Sequence, residues 1–431
     1  LLIVSNLSSP LALLQNFSDN NHLLNSLQMF YLFPGPDWAY HILPTATSIL
    51  SLSALWYLLK EKEPAVQITT VALFALSFPL IVHTTEARGY SFLLLALLSS
   101  LIFFQSQKKG SAFGFWLSSV FGILSHYSFL TLTISYLVTD TVLSAKKAGK
   151  TLPLLLVFHL PVLCFCALLY LLHLQYLTPG TGPLTSHFEV LANTLSVSFG
   201  GIELDSRTPL LGALTLSYSV AIAFLLLFGI RDTFKKGSSL GIFFLLSIVI
   251  VPAATIMLWQ PRVLFPRYFL VSIACSYLLL GSYLPTLVRR GAPGKTFALL
   301  FGFILFSGFL FQDSRFLLYA RGEYDIARDI LKDPSSGIAR IDSDHPYRFL
   351  TVFKHNCNSS CQKRFLSEEA SSVSAQSNWF VLQDHHTFSE FPPTLAQDER
   401  LYQLYRTYRH AGLSGFTWGL YRNNDDQSSA P

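Results

Sequence analysis

The sequence predicts a mainly α-helical, polytopic membrane protein: a transmembrane helix bundle followed by a small extracytoplasmic α/β domain at the C-terminus. Of its 431 residues, 51% are hydrophobic and only 13% are charged, whereas soluble domains carry about 25% charged residues. Apolar runs long enough to cross a bilayer recur as far as residue 312. Residues 313–431 are polar instead, and they combine a helical pattern ("EYDIARDILKD") with strand-like runs ("NWFVLQD", "GFTWGLYR").

Ten segments are predicted to span the membrane. In chain order they are 39–59, 65–83, 87–106, 111–125, 127–145, 152–174, 209–230, 239–258, 267–288 and 296–312. The fourth and fifth are ambiguous, because "FWLSSVFGILSHYSFLTLTISYLV" fits either two short spans that meet at His126 and Tyr127 or one broken helix.

The loops between these spans alternate in charge. The loops "KEKE", "QKK", "AKKAGK", "RDTFKK" and "RRGAPGK" hold thirteen Lys and Arg, whereas the loops between them hold only Arg88, Arg207, Arg262 and Arg267. The excess of positive charge places the first set in the cytoplasm. Residues 1–38 then form a first outer loop, residues 39–312 the bundle, and residues 313–431 an outer domain. We expect a further span before Leu1 and a location in the bacterial inner (cytoplasmic) membrane.

The first outer loop contains an amphipathic segment. Between Leu23 and Phe33, apolar residues recur at helical spacing, and Asn25, Ser26 and Gln28 form the polar face. This pattern is typical of a helix that lies in the membrane interface. Asp19 and His22 stand at its start. Asp19 is either a helix N-cap or a carboxylate that faces a cavity at membrane level.

Ionisable residues collect where the third predicted span begins, in "VHTTEARGY". In a continuous helix, His83, Glu86 and Tyr90 share one face, while Arg88 lies about 200° away from Glu86 and cannot pair with it. One interpretation is a helix end anchored at the interface. The other is a functional cluster, because ionisable groups at a membrane edge are costly to desolvate.

Two further stretches add polar groups to the same side. The "SHYS" motif supplies His126 and Tyr127, and "WQPRVLFPRYFL" supplies Arg267 and Tyr268. Arginine matches phosphate oxygens with a fixed fork of donors. Arg267 therefore either snorkels to lipid headgroups or binds a lipid-linked phosphate.

Other chemistries have little support in the sequence. It contains no Walker A, GxGxxG, HExxH or GxSxG motif, and neither a metal site nor a nucleic-acid partner is predicted. The spacing of Cys357 and Cys361 permits a disulfide and is too thin a pattern for zinc.

Several of these motifs, in this order, resemble the GT-C superfamily of membrane glycosyltransferases. The pieces are an acid and a His before "LLNSL", then "DWAYHILP", "EARGYSFLLLALLS", "SHYSFL" and "RYFL", followed by an outer domain. The nearest branch looks like bacterial relatives of the dolichyl-phosphate-mannose–protein mannosyltransferases. The resemblance covers about residues 15–290. The chain departs from it at Leu23, where the family usually has Pro, and at His41, where relatives commonly have Arg.

The resemblance implies transfer of a sugar from a polyprenyl-phosphate-linked donor to an envelope acceptor, which is a lipid, a glycan or a protein. One plausible base and no evident pair of nucleophiles favour a single displacement, which would invert the anomeric configuration. The resemblance also implies an acid of the first outer loop as general base, either Asp19 or a residue before Leu1, with Glu86 as the second catalytic carboxylate. His22, His83, Arg88, Tyr90, His126, Tyr127, Arg267 and Tyr268 then bind substrate. No cofactor is expected: a divalent cation is compatible with this chemistry but not required by it.

Two other functions compete with the transferase. A flippase for lipid-linked sugars uses the same arginines but needs no base. A membrane scaffold needs neither the arginines nor a base. Its polar residues would face lipid or solvent instead of a common site.

Overall fold

The protein is a bundle of membrane helices followed by a sheet-containing unit. A computed structural model describes residues 9–15, 22–33, 35–36, 38–86, 88–106, 109–146, 152–177, 186–203, 209–259, 264–320, 322, 326–331, 340–345, 349, 377–384, 389–397, 400–413 and 415–423. The chain divides into two compact units, Leu1–Leu310 and Phe311–Pro431.

Fifteen α-helices are formed by the described residues. They are α1 (Leu23–Leu32), α2 (Ala39–Leu59), α3 (Pro64–Ala75), α4 (Phe78–Thr85), α5 (Tyr90–Ser106), α6 (Lys109–Ser125), α7 (Leu130–Lys146), α8 (Leu152–Leu172), α9 (His187–Ser198), α10 (Pro209–Lys235), α11 (Leu240–Leu245), α12 (Val251–Trp259), α13 (Leu270–Val288), α14 (Ala292–Tyr319) and α15 (Ile326–Leu331). Four short 3₁₀ segments are also present: Pro10–Gln15, Tyr127–Phe129, Leu174–Tyr176 and Pro266–Phe269. A π turn, Leu246–Ile250, joins α11 to α12.

The structure confirms a multi-pass membrane protein. In the described part of the chain, seven helical segments are long and apolar enough to cross a bilayer, and the bent pair α3–α4 makes an eighth. The predicted third and fourth spans correspond to shorter apolar helices, Tyr90–Ser106 and Gly110–Ser125. The ambiguous stretch forms two helices that separate at His126.

The predicted span 65–83 is bent instead of straight. Helices α3 and α4 meet at an angle of 52°. Pro79, at the second position of α4, has no N–H to continue the hydrogen-bond ladder. The Ser77 side chain caps the new helix by accepting from the Leu80 N–H at 3.4 Å. The bend sets the direction in which α4 carries His83 toward the site.

Helix α13 is the most buried span, with 78% of its apolar window inside the protein, against 22–33% for the other long spans. Its Tyr277 hydroxyl joins three elements. It accepts a hydrogen bond from Ser77 Oγ at 2.8 Å and donates one to the Ser198 carbonyl at 2.5 Å. This chain of hydrogen bonds ties the start of α4 to the end of α9, so it fixes the helix that carries the site.

Charged residues of three basic loops meet at one end of the bundle. Arg289 pairs with Glu63, and Asp232 pairs with both Arg290 and Lys236. These residues stand near the last turns of α10 and α13, while the ionisable residues of "VHTTEARGY" and "RYFL" stand at the opposite ends of α3–α4 and α13. The two groups of charges therefore lie at opposite ends of the bundle.

Helix α1 turns its polar face toward the protein. Asn25, Ser26 and Gln28 are all buried, whereas Tyr31 is exposed. The Gln28 amide donates to the Tyr40 carbonyl at 3.3 Å, which holds α1 against the start of α2. The amphipathic pattern correctly predicted a helix, and the structure shows that its polar side faces inward, next to the site described below.

The second unit contains a five-stranded sheet, in agreement with the predicted α/β domain. Its strands are β1 (Arg340–Ser343), β2 (Ser377–Asp384), β3 (Thr394–Gln397), β4 (Arg400–Tyr408) and β5 (Thr417–Asn423). Their order in the sheet is β1-β2-β5-β4-β3, with β1 parallel to β2 and the other pairs antiparallel. Apolar residues cover both faces: Trp379 and Trp418 pack with α15 on one, and Phe380 and Tyr421 pack on the other. Cys357 and Cys361 lie outside the described residues.

Candidate active site

The candidate site begins where the chain breaks between α4 and α5. Helix α4 ends at Thr85, Glu86 adopts an extended conformation, and the Arg88 N–H donates to the Glu86 carbonyl at 2.7 Å. Two expectations drawn from a continuous helix are therefore wrong: Glu86 and Tyr90 do not share a helix face, and Arg88 does pair with Glu86. The turn removes the helical rotation that separated the two side chains.

Glu86 is held by two of its neighbours in sequence. Its Oε1 lies 3.2 Å from His83 Nδ1, and its Oε2 lies 3.3 Å from Arg88 Nε. The second contact is an ion pair whose geometry falls short of a hydrogen bond. The side chains of His83 and Glu86 are 1% and 3% exposed, whereas that of Arg88 is 38% exposed. Since an ionised carboxylate only accepts, His83 must carry a proton on Nδ1.

Four aromatic rings, those of His22, His83, Tyr90 and His126, pack together beside Glu86; we call them the ring cluster. The His22 and His126 rings stack at 4.6 Å between centroids. Tyr90 lies 5.7 Å from His22, 5.1 Å from His83 and 5.0 Å from His126. These rings come from the first loop, from both sides of the α4–α5 break and from the α6–α7 break, so the fold brings together three sequence stretches.

Gly89 makes this convergence possible. A Cβ atom at this position would lie 2.0 Å from the Ser125 carbonyl oxygen and 3.4 Å from the His22 Cβ. Only a residue without a side chain lets the start of α5 approach the end of α6 so closely. Gly89 was not among the predicted site residues, because a glycine beside a helix start carries no signal of what it will contact.

The two stacked imidazoles are neutral at physiological pH. Burial holds the pKa of His22 well below its usual value, and the repulsion that two protonated imidazoles would exert on each other, together with the positive charges of Arg88 and Arg267, lowers it further. Burial and then the positive charge of Arg267 lower the pKa of His126 to about 3. The His126 Nδ1 accepts a hydrogen bond from the Ser128 N–H at 3.1 Å, so its ring proton sits on Nε2.

Arg267 adds a second cation next to the ring cluster. Its guanidinium lies 4.1 Å from the Phe265 ring and 5.6 Å from the Tyr268 ring, in cation–π contact with both. Among the described residues it pairs with no carboxylate. Its charge nevertheless acts on His22, Tyr90 and His126. The positive charges of Arg88 and Arg267 therefore both act on the neutral imidazoles of His22 and His126.

Some buried polar atoms of the site have no partner within the described part of the chain. The Nδ1 of His22 and the hydroxyl of Ser128 are both buried without a hydrogen bond. His22 as a whole is only 7% exposed. A buried polar group without a partner costs free energy, and the nitrogen of His22, on which the charges of both arginines act, is one that a polar, anionic ligand would satisfy.

The remaining predicted site residues have different positions. Asp19 lies outside the described residues, as does Arg262. The Tyr127 ring lies 6.1 Å from the His173 ring, and Tyr268 contacts Arg267 and Phe265. His41, not predicted as a site residue, places its Nδ1 3.2 Å from the Thr85 carbonyl and so supports the last turn of α4. No group of three or more His, Cys, Asp or Glu among the described residues is placed to hold a metal.

Comparisons with known proteins identify no family for the chain. No protein-family profile matches it, and no curated protein matches it in sequence. A solved structure, ArnT from Cupriavidus metallidurans bound to undecaprenyl phosphate, is similar over 93% of this chain and 87% of that one, with 10% identity and a TM-score of 0.40. A likeness this distant does not assign a function to the chain.

Proposed function

We propose that this protein is a membrane glycosyltransferase that moves a sugar from a polyprenyl-phosphate donor to an envelope acceptor. The observation that carries the proposal is the polar site at one end of the bundle: two arginines, a buried carboxylate and two stacked neutral imidazoles, one of which has a nitrogen without a partner among the described residues. The motif resemblance to the GT-C superfamily supports the same reaction.

The two arginines can stabilise the negative charge of the lipid phosphate that leaves in the proposed reaction. When the bond to the anomeric carbon breaks, charge develops on a lipid phosphate, and fixed cationic donors in a poorly solvated site stabilise it. Arg88 and Arg267 are proposed to bind this phosphate. They belong to separate elements, the α4–α5 break and the 3₁₀ turn before α13, so together they define one position for the ligand. The polyprenyl chain would lie along the apolar exterior of the neighbouring spans.

The acceptor hydroxyl must lose a proton as it attacks, and a carboxylate within hydrogen-bond reach would take it. Asp19, three residues before His22, is the proposed base. A single displacement of this kind inverts the anomeric configuration, and a product that keeps the donor configuration would contradict this step. The alternation of loop charges supports placing the site and the C-terminal domain on the outer face of the bacterial inner membrane.

The test uses the purified protein reconstituted in lipid vesicles with a radiolabelled polyprenyl-phosphate sugar and envelope extract. We expect the label to move to a new product. Arg88→Ala and Arg267→Ala should each reduce transfer by about 100-fold to 1,000-fold, the usual loss when one stabiliser of developing charge is removed. Arg289→Ala is the matched control, because Arg289 pairs with Glu63 at the opposite end of the bundle.

Two outcomes would contradict the proposal. Equal loss in all three arginine variants would mean that the changes damage the bundle and that the site has no special role. Movement of the intact donor across the bilayer, without a product, would identify a flippase of lipid-linked sugars instead.

A further inference from the structure

We propose that Glu86 is a positioning residue that orients the Arg88 guanidinium toward the donor phosphate, and that it does not take the proton of the acceptor. The proposal rests on the proposed function, because it assigns a role within the same site. It also changes the role that the sequence suggested for Glu86, which was that of a second catalytic carboxylate.

The buried position of Glu86 limits its access to an acceptor hydroxyl. A general base must come within hydrogen-bond distance of the hydroxyl it deprotonates. The Glu86 side chain is only 3% exposed, and its two oxygens face His83 Nδ1 at 3.2 Å and Arg88 Nε at 3.3 Å. Both of these contacts come from its own segment, and the carboxylate itself is almost fully buried.

The contact with Glu86 sets the direction of the Arg88 guanidinium. A guanidinium is planar, so a contact that fixes Nε also limits where the two terminal nitrogens point. The Arg88 side chain is 38% exposed, far more than that of Glu86. Of the two residues, Arg88 is the one that can reach a ligand, and Glu86 contacts it on the Nε side of the guanidinium.

Glu86 is in turn held in place by His83. His83 is 1% exposed and donates from Nδ1 to Glu86, while its ring packs at 5.1 Å against Tyr90. The order of support is therefore His83, Glu86, Arg88, from the buried helix α4 outward to the exposed cation. A carboxylate in the middle of such a series acts through the arginine that it orients.

A positioning carboxylate and a catalytic base respond differently to substitution. The test compares Glu86→Gln, Glu86→Ala, Arg88→Ala and the double variant Glu86→Ala/Arg88→Ala in the full chain. Glu61→Gln, an exposed glutamate in a loop at the opposite end, is the matched control. The measurements are binding of a radiolabelled polyprenyl monophosphate, with the phosphate-free polyprenol as reference, and kcat and KM for sugar transfer.

We expect Glu86→Ala to weaken monophosphate binding by about 10-fold to 100-fold, by analogy with the loss seen when a residue that orients a metal ligand is removed. The double variant should bind no more weakly than Arg88→Ala, because Glu86 acts only through Arg88. Binding of the polyprenol should not change. Glu86→Gln, which keeps the shape and one acceptor oxygen, should retain kcat within about threefold, whereas loss of a general base costs about 100-fold or more.

A fall of about 100-fold in kcat for Glu86→Gln, with unchanged monophosphate binding, would overturn the inference and restore the role of base. Additive losses in the double variant would also overturn it. If the binding results are as expected but the wild type transfers no sugar, the glycosyltransferase proposal fails while the positioning role of Glu86 stands.

Discussion

Gly89 offers the sharpest test of how the site is assembled. Replacing it with alanine adds one methyl group, which would lie 2.0 Å from the Ser125 carbonyl oxygen. Real Cβ atoms do not approach within 3.0 Å of another heavy atom, so this separation must widen by at least 1.0 Å. The obstacle is backbone at the end of α6, which cannot rotate away as a side chain would.

The expected cost follows from that displacement. Forcing an extra methyl group into a packed region costs about 1–3 kcal/mol, and more where backbone must move. The movement would also separate Tyr90 from His126, because these rings flank Gly89 and Ser125 in sequence. We therefore expect Gly89→Ala to lower the melting temperature of the detergent-purified protein and to reduce sugar transfer by about tenfold or more, in line with the cost of misplacing catalytic groups by 1 Å.

Gly302→Ala is the matched control. Gly302 lies within α14, and a Cβ atom there would meet nothing within 4 Å. The same substitution should be neutral or stabilise the helix by up to about 1 kcal/mol. Equal stability and activity of the two alanine variants would refute the reasoning, since it would show that the close approach at Gly89 is not needed.

Three other predictions follow from the structure. The pKa of His126 is about 3 in the folded protein, far below the value of about 6.5 for an unfolded ring. Below pH 6.5 the unfolded state therefore binds more protons than the folded state. The free energy of unfolding should then fall by about 1.4 kcal/mol per pH unit as the pH drops toward 3. Melting curves at pH 7.5 and 5.5 should show this loss, and His126→Asn should reduce it. Tyr277→Phe removes the hydroxyl that joins Ser77 to the Ser198 carbonyl and should cost about 1–3 kcal/mol, whereas Tyr57→Phe, on an exposed ring, should leave the melting temperature unchanged. Asp140 and His159 form a buried pair at 2.8 Å: replacing either one with leucine should cost about 3–5 kcal/mol, and replacing both should cost less than the sum. Additive losses would show that the two side chains do not interact.

The sequence alone determined the class of the protein and the position of its helices. A run of about 20 mostly apolar residues is a signal contained within one segment, so each of the ten predicted spans contains helix in its described residues, although 65–83 is broken into two helices. The strands β2 and β5 were visible for the same reason, as short runs of apolar and aromatic residues. The concentration of His, Arg and Tyr near span ends was also legible, because these residues stand out against the apolar segments that they flank.

Only the tertiary structure decided which of those residues meet. A helical projection separated Arg88 from Glu86, but a turn outside the helix pairs them. His22 and His126 stack although 104 positions separate them in the chain, and no local pattern reports such a contact. The inward direction of the polar face of α1 and the close approach at Gly89 have the same origin. Periodicity and composition are properties of one segment, whereas these contacts depend on how separate segments pack against one another.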